Sequence, residues 1–149
     1  SGHSLEQYTI HAGRSIPNIW SIGGFSLSEN TAYACEPFVT TEQGGGFVRN
    51  GKIKNIFAIN SRKKTKNEKA DKLLNFIWEN FNMLPFALRW ITKEWEEKEA
   101  RELLEILVKK KAVQAYPVLI EINEQRVAQA EHTFIPMESG VTVTTKALT

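Results

Sequence analysis

The sequence is short of the residues that make several chemistries simple. A single cysteine, Cys35, and a single aspartate, Asp71, stand in 149 residues. One thiol cannot close an internal disulfide, so a disulfide-stapled scaffold is excluded and a reducing, cytoplasmic setting is the better fit. A cysteine nucleophile would need a histidine base, and no spacing supplies one. Cys35 is therefore expected as a buried core thiol. The three histidines, His3, His11 and His132, lie toward the two ends and leave the middle empty of them. No apolar run approaches the roughly 20 residues of a membrane helix, so no membrane partner is expected. The first residues carry neither the basic stretch nor the apolar core of a signal peptide. A net charge of +2 decides nothing about partners by itself.

What is present reads as three regions. Hydrophobic residues make up 42% and charged residues 24%, the balance of a folded globular chain. Residues 1–52 read as strands and loops. One strand-like stretch carries Leu5, Tyr8 and Ile10, and a second runs from Thr31 to Thr41. Gly44-Gly45-Gly46 is a loop, but it lacks the Gly-Lys-Ser/Thr ending of a phosphate loop. Residues 53–115 change character. After the basic run Arg62-Lys63-Lys64 and Lys66, Leu73, Leu74, Ile77, Trp78 and Phe81 recur at helical spacing. A short helix is expected from Pro85, carrying Phe86, Leu88 and Trp90. A third runs from a glutamate-rich start near 96 to Lys109-Lys110-Lys111, a charge order that complements the helix dipole. Residues 116–149 return to strands, with Asn123-Glu124-Gln125 expected as a hairpin turn between Val118–Ile122 and 126–135. The basic run is better read as a solvated face than as a nucleic-acid contact.

Two carboxylates sit oddly. Side chains alternate along a strand, so Glu36 shares a face with Ala32, Ala34 and Phe38. An ionised group on an apolar face needs a cation, a metal or a raised pKa. Glu131 shares its face with Val127, Gln129, Thr133 and Ile135, which repeats the problem more weakly. A rim carboxylate paired with a surface lysine or arginine is the plainer alternative for each. His3 and His11 lie eight positions apart, about 26 Å along a straight strand, so they meet only if the chain bends. Histidine and glutamate without a second cysteine form a nitrogen and oxygen donor set, suited to Mn, Fe, Co or Zn.

Five blocks, in order, carry a family resemblance. Gly2-His3-Ser4-Leu5, Tyr8-Thr9-Ile10-His11-Ala12-Gly13 and Ile16-Pro17-Asn18 form the first. Ala34-Cys35-Glu36-Pro37-Phe38-Val39-Thr40 and Leu84-Pro85-Phe86-Ala87-Leu88-Arg89-Trp90 are the second and third. Tyr116-Pro117-Val118-Leu119 and Ala128-Gln129-Ala130-Glu131-His132-Thr133 are the last two. Together they resemble the C-terminal portion of type 2 methionine aminopeptidases, with archaeal-like detail at Glu36-Pro37-Phe38. The resemblance implies an α+β fold: the C-terminal part of the pita-bread (creatinase/aminopeptidase) fold, with an inserted winged-helix-like helical subdomain. The scaffold would occupy residues 1–52 and 116–149, and the insert 53–115.

The resemblance also implies roles. His3 and Glu36 would hold one metal, and Glu131 would bridge two. His11 would contact substrate and stabilise the tetrahedral intermediate. Ile10, Phe38 and Tyr116 would line the methionine side-chain pocket. The implied cofactors are two divalent ions among Co, Mn, Fe and Zn. The implied substrates are nascent chains and peptides that begin with methionine, with the ribosome as a further partner. Family members also use two aspartates upstream of this chain's first residue, and Asp71, in the helical region, cannot replace them. The chain alone is therefore expected to be inactive without the missing N-terminal half, which becomes an expected partner. A non-catalytic pita-bread relative binding ribosome or nucleic acid is the alternative. Retention of His3, Glu36 and Glu131 favours the enzyme.

Overall fold

The computed structural model describes residues 1–146. In chain order the first elements are strands β1 (Gly2–Leu5), β2 (Ser15–Ile16), β3 (Ala32–Cys35), β4 (Phe38–Thr40) and β5 (Val48–Ile59). Helix α1 (Glu68–Phe81), strand β6 (Phe86–Ala87) and helices α2 (Leu88–Ile91) and α3 (Glu97–Lys109) follow. Strands β7 (Val113–Glu121), β8 (Val127–Gln129), β9 (His132–Met137) and β10 (Gly140–Val143) close the described chain. These elements divide into two compact units, residues 1–48 with 121–149 and residues 49–120.

The first unit holds a five-stranded sheet in the order β10-β9-β3-β1-β2 and a two-stranded ladder, β4-β8. Tyr33 is buried on β3 and stacks on Phe134 of β9 across the paired strands. The strand expected over residues 31–41 is interrupted at Glu36 and Pro37, and that over 126–135 at residues 130 and 131. Pro37 has no N–H to give a ladder, which accounts for the first break. Both breaks nevertheless preserve register. Tyr33 pairs with Phe134 and Cys35 with His132 on one side of the gap. Phe38 pairs with Gln129 and Thr40 with Val127 on the other. The pairing numbers sum to the same value throughout, and the Ala130 N–H donates to the Pro37 carbonyl within the gap.

Two expectations fail in this unit. Cys35 is exposed rather than buried, because it ends β3 on the face opposite Ala34, past the Tyr33–Phe134 stack. The turn falls one residue earlier than expected, at Ile122 and Asn123, and does not close a hairpin, since β7 pairs with β5 whereas β8 pairs with β4. The organiser of that turn is Glu121, which is buried. Its Oε2 accepts from the Asn123 and Gln125 N–H groups at 2.7 and 3.2 Å. Its Oε1 accepts from Gly45 and Gly46 at 2.6 and 3.2 Å. The glycine loop thus serves as a clamp on a carboxylate. A side chain at Gly45 would run into Ile122 Cγ2.

The second unit packs α1 and α3 on a three-stranded sheet, β6-β5-β7. Its core is Leu73, Leu74 and Ile77 of α1, Leu103, Leu104 and Leu107 of α3, and Phe57, Phe86 and Ile91. Each such side chain, fully buried, contributes about 1.5–3 kcal/mol of transfer free energy. Helix α1 starts where Asn67 accepts from the Ala70 N–H at 3.0 Å. Asp71 accepts from the Thr65 N–H and hydroxyl at 2.7 and 2.8 Å, so the sole aspartate is spent on fixing that start. Glu96 caps α3 by accepting from Glu99. The helix expected from Pro85 begins later. Phe86 and Ala87 pair with Phe57 and Ile56 as strand, and the helix runs only from Leu88. Pairing with β5 buries both Phe86 and Ala87, and this explains the shift. Strand β5, 12 residues long, carried no clear alternation in the sequence and was not anticipated there.

Candidate active site

The chain reverses between His3 and His11. Glu6 and Thr9 form a bridge around a tight turn in which Tyr8 takes a positive φ of 59°. Ala12 then donates to the Ser4 carbonyl, and Ser4 donates to the Arg14 carbonyl. This return lays His11 against His3, with ring centroids 4.3 Å apart in an edge-on arrangement. The 26 Å separation of a straight strand is abolished by the turn.

Register brings the carboxylates to the same place. His3 pairs with Ala34 across β1 and β3, so the two share a face, and Glu36, two residues on, continues it. The His3 Nε2 lies 3.1 Å from Glu36 Oε1, and both side chains are largely buried at 13% and 16% exposure. The other ring nitrogen, Nδ1, faces the Ser4 carbonyl at 3.4 Å. Glu36 Oε2 accepts from the Gln129 amide at 3.1 Å. The shared register carries Glu131, exposed in the break between β8 and β9, to the position opposite Glu36. Like charges directly opposed on a ladder destabilise it unless a cation stands near.

His11 is exposed by area, but its edge against His3 is desolvated. That desolvation, and then His3, lower its pKa, and the nearby Glu36 only partly opposes them. Desolvation and His3 both favour the neutral imidazole. Ile10 is half-buried beside it, and Phe38, 40% exposed, lies at the start of β4. Tyr116 belongs to the second unit, half-buried on β7, where the Gln114 amide is hydrogen-bonded to its hydroxyl.

The structure therefore gathers His3, His11, Glu36 and Gln129, with Glu131 facing Glu36 by register. In the sequence Gln129 stands out only as a residue on the same strand face as Glu131. Its spacing of two residues before Glu131 was the available signal, since it puts both on one strand face. As a metal test, the donors have the right chemistry, one imidazole nitrogen and carboxylate oxygens on one face. They are too few: among the described residues no three His, Cys, Asp or Glu side chains are grouped to hold a metal ion.

No family model matches the sequence. A methionine aminopeptidase of Saccharolobus solfataricus is 40% identical over 150 residues, covering 99% of this chain and 49% of that protein. That of Methanocaldococcus jannaschii is 37% identical over 146 residues, covering 98% and 48%. This chain is homologous to archaeal methionine aminopeptidases. The methionine aminopeptidase of Pyrococcus horikoshii repeats the pattern, 39% identical over 147 residues. The chain spans about half the length of these methionine aminopeptidases. Among solved structures, that of a thermophilic Arx1 matches with a TM-score of 0.77 at 16% identity, over 95% of this chain and 38% of Arx1. That likeness is one of fold: a mixed α+β architecture shared with a pita-bread protein. Among the described residues no helix is long and apolar enough to cross a membrane.

Proposed function

We propose that this chain is the C-terminal half of a type 2 methionine aminopeptidase and supplies His3, Glu36 and Glu131 to its two-metal centre. One observation carries the reading. A continuous strand register sets Glu36 opposite Glu131 and brings Glu36 against His3, where neither carboxylate has an arginine or lysine partner among the described residues. Homology over 97–99% of the chain supplies the reaction class. Residues 53–115, within the second compact unit, would be the family's helical insert, and the protein would act in the cytoplasm on nascent chains.

His3, Glu36 and Glu131 would hold the divalent ions together with donors from outside this chain, and the ions would supply an activated water and a polarised carbonyl. The chain's own residues prepare that site. His3 and Glu36 fix each other, and the Ser4 carbonyl orients the imidazole through Nδ1. This is the outer-shell arrangement that fixes a ligand's tautomer and ring direction. Gln129 holds the second oxygen of Glu36 and so sets the rotation of the carboxylate. His11 would offer an N–H to the oxygen that gains charge as the carbonyl is attacked.

Calorimetric titration of the 149-residue chain with Mn²⁺ or Co²⁺ tests the donor set. Weak binding of at most one ion is expected, and His3→Ala or Glu36→Gln should abolish it. Unchanged binding in both variants would remove these residues from the site.

A further inference from the structure

The second unit carries a groove that the aminopeptidase reading does not use. Two hollows, of about 740 and 230 Å³, lie along β5 on the side of α3 and share Asn55 and Arg101. The larger is of a size that holds ligands and short peptide segments. Its floor is apolar, with Phe57 and Leu104 from the core edge, and Val108 and Ala115 partly buried beside them. Strand alternation puts Ile53 on the face of Phe57, past the end of the covered core, and it is 61% exposed. Arg101 and Lys109 stand around this floor, with Glu105 as the one acid among the lining residues, while Lys52 and Lys54 border it from β5, alternating with Ile53 and so facing the strand's other side. Arg101 and Lys109 are already met by Glu97 and Glu105 of their own helix, at 2.8 and 3.9 Å. The strand lysines have no such acid on the groove.

The same stretch of β5 has an open edge. Strand β6 pairs with β5 only at Ile56 and Phe57, and no other described strand continues that side over residues 49–55. An unpaired edge is a template for another strand. A second copy of this edge would bring lysine against lysine and is disfavoured. A strand bearing carboxylates would instead find cations on one face of β5 and an apolar floor on the other.

We propose that β5 and α3 form a docking groove for an extended acidic peptide. The peptide would add to the open edge of β5, laying apolar side chains on Ile53 and Val108 and carboxylates against Lys52 and Lys54. This is strand addition, with backbone bonds giving affinity and alternate side chains giving selection.

The test is fluorescence anisotropy of the 149-residue chain with a short fluorescein-labelled peptide of alternating glutamate and valine. Saturable binding is expected. Lys52→Glu with Lys54→Glu should weaken it by about tenfold or more, a loss expected when two exposed charge pairs are turned from attraction to repulsion. Circular dichroism and the melting temperature of that variant should stay at the parent's values, since both lysines are exposed. A peptide in which prolines replace alternate valines should lose binding, because proline removes the donors a strand needs. Equal binding of the proline peptide, or of a lysine-valine peptide, would overturn the proposal. So would preferential binding of a single-stranded oligonucleotide, or self-association that the double variant abolishes. Loss of peptide binding when the chain is extended to the full length of its relatives would assign the groove to its own fold, and likewise overturn it.

Discussion

At the scale of residues, the decisive facts are pairings rather than identities. His3 was legible as a ligand type, but its partner was not. The sequence separates His3 from Glu36 by 33 positions, and only the β1–β3 register closes that distance to 3.1 Å. Cys35 shows the opposite failure. A lone thiol between alanine and glutamate reads as core, yet it projects from the end of β3. It should react with a thiol reagent in the native chain at nearly the rate of a free thiol, as absorbance after addition of dithionitrobenzoate will show. A thiol protected until unfolding would contradict its placement.

Glu121 offers a residue-scale test by pH. Burial, its largest single influence, pushes its pKa up, but the four N–H groups of Gln125, Asn123, Gly45 and Gly46 together outweigh burial and lower it. A folded-state pKa below the unfolded value contributes stability above the unfolded value, lost as pH falls through the folded one. Denaturant melts should therefore show Glu121→Gln less stable than the parent at pH 7. The gap should narrow as pH drops below the usual carboxylate range. A gap that does not change with pH would mean the carboxylate's charge is irrelevant to the clamp.

At the scale of elements, the helices were the legible part. Apolar residues at helical spacing placed α1 and α3 because burial of Leu73, Ile77, Leu104 and Leu107 repeats on one face. Leu104→Ala should cost about 2–5 kcal/mol in chemical denaturation, as a fully buried leucine does. Asn67→Ala should cost about 1 kcal/mol, the usual value of a lost N-cap. The strands were harder. Val48–Ile59 carries Arg49, Lys52 and Lys54, so its period-2 signal is blurred by exposed lysines on an open edge. The expected hairpin at 123–125 failed because a turn signal reports reversal of the chain but not which strand it joins. The break at Glu36 had a signal in Pro37, and that at residues 130 and 131 only the low strand propensity of alanine and glutamate, with apolar strand formers on either side of both. Their shared register carries the function proposed for the site.

At the scale of the molecule, the chain is homologous to methionine aminopeptidases about twice its length. Only His3 and Glu36 among the proposed ligands are in contact, and the described residues hold no three-donor metal group. A half-set of donors explains why a chain with a recognisable site is expected to be inactive alone. The direct test is methionine release from a Met-Gly peptide with Mn²⁺ or Co²⁺. It would be run on this chain, on the chain extended to the length of its relatives, and on the extended chain with Glu131→Gln. The account predicts no release by the chain alone, metal-dependent release by the extended chain, and loss of at least about 100-fold with Glu131→Gln, the scale of removing one charge-stabilising group from a catalytic centre. Full activity of the extended Glu131→Gln variant would contradict it, as would an extended chain that releases no methionine.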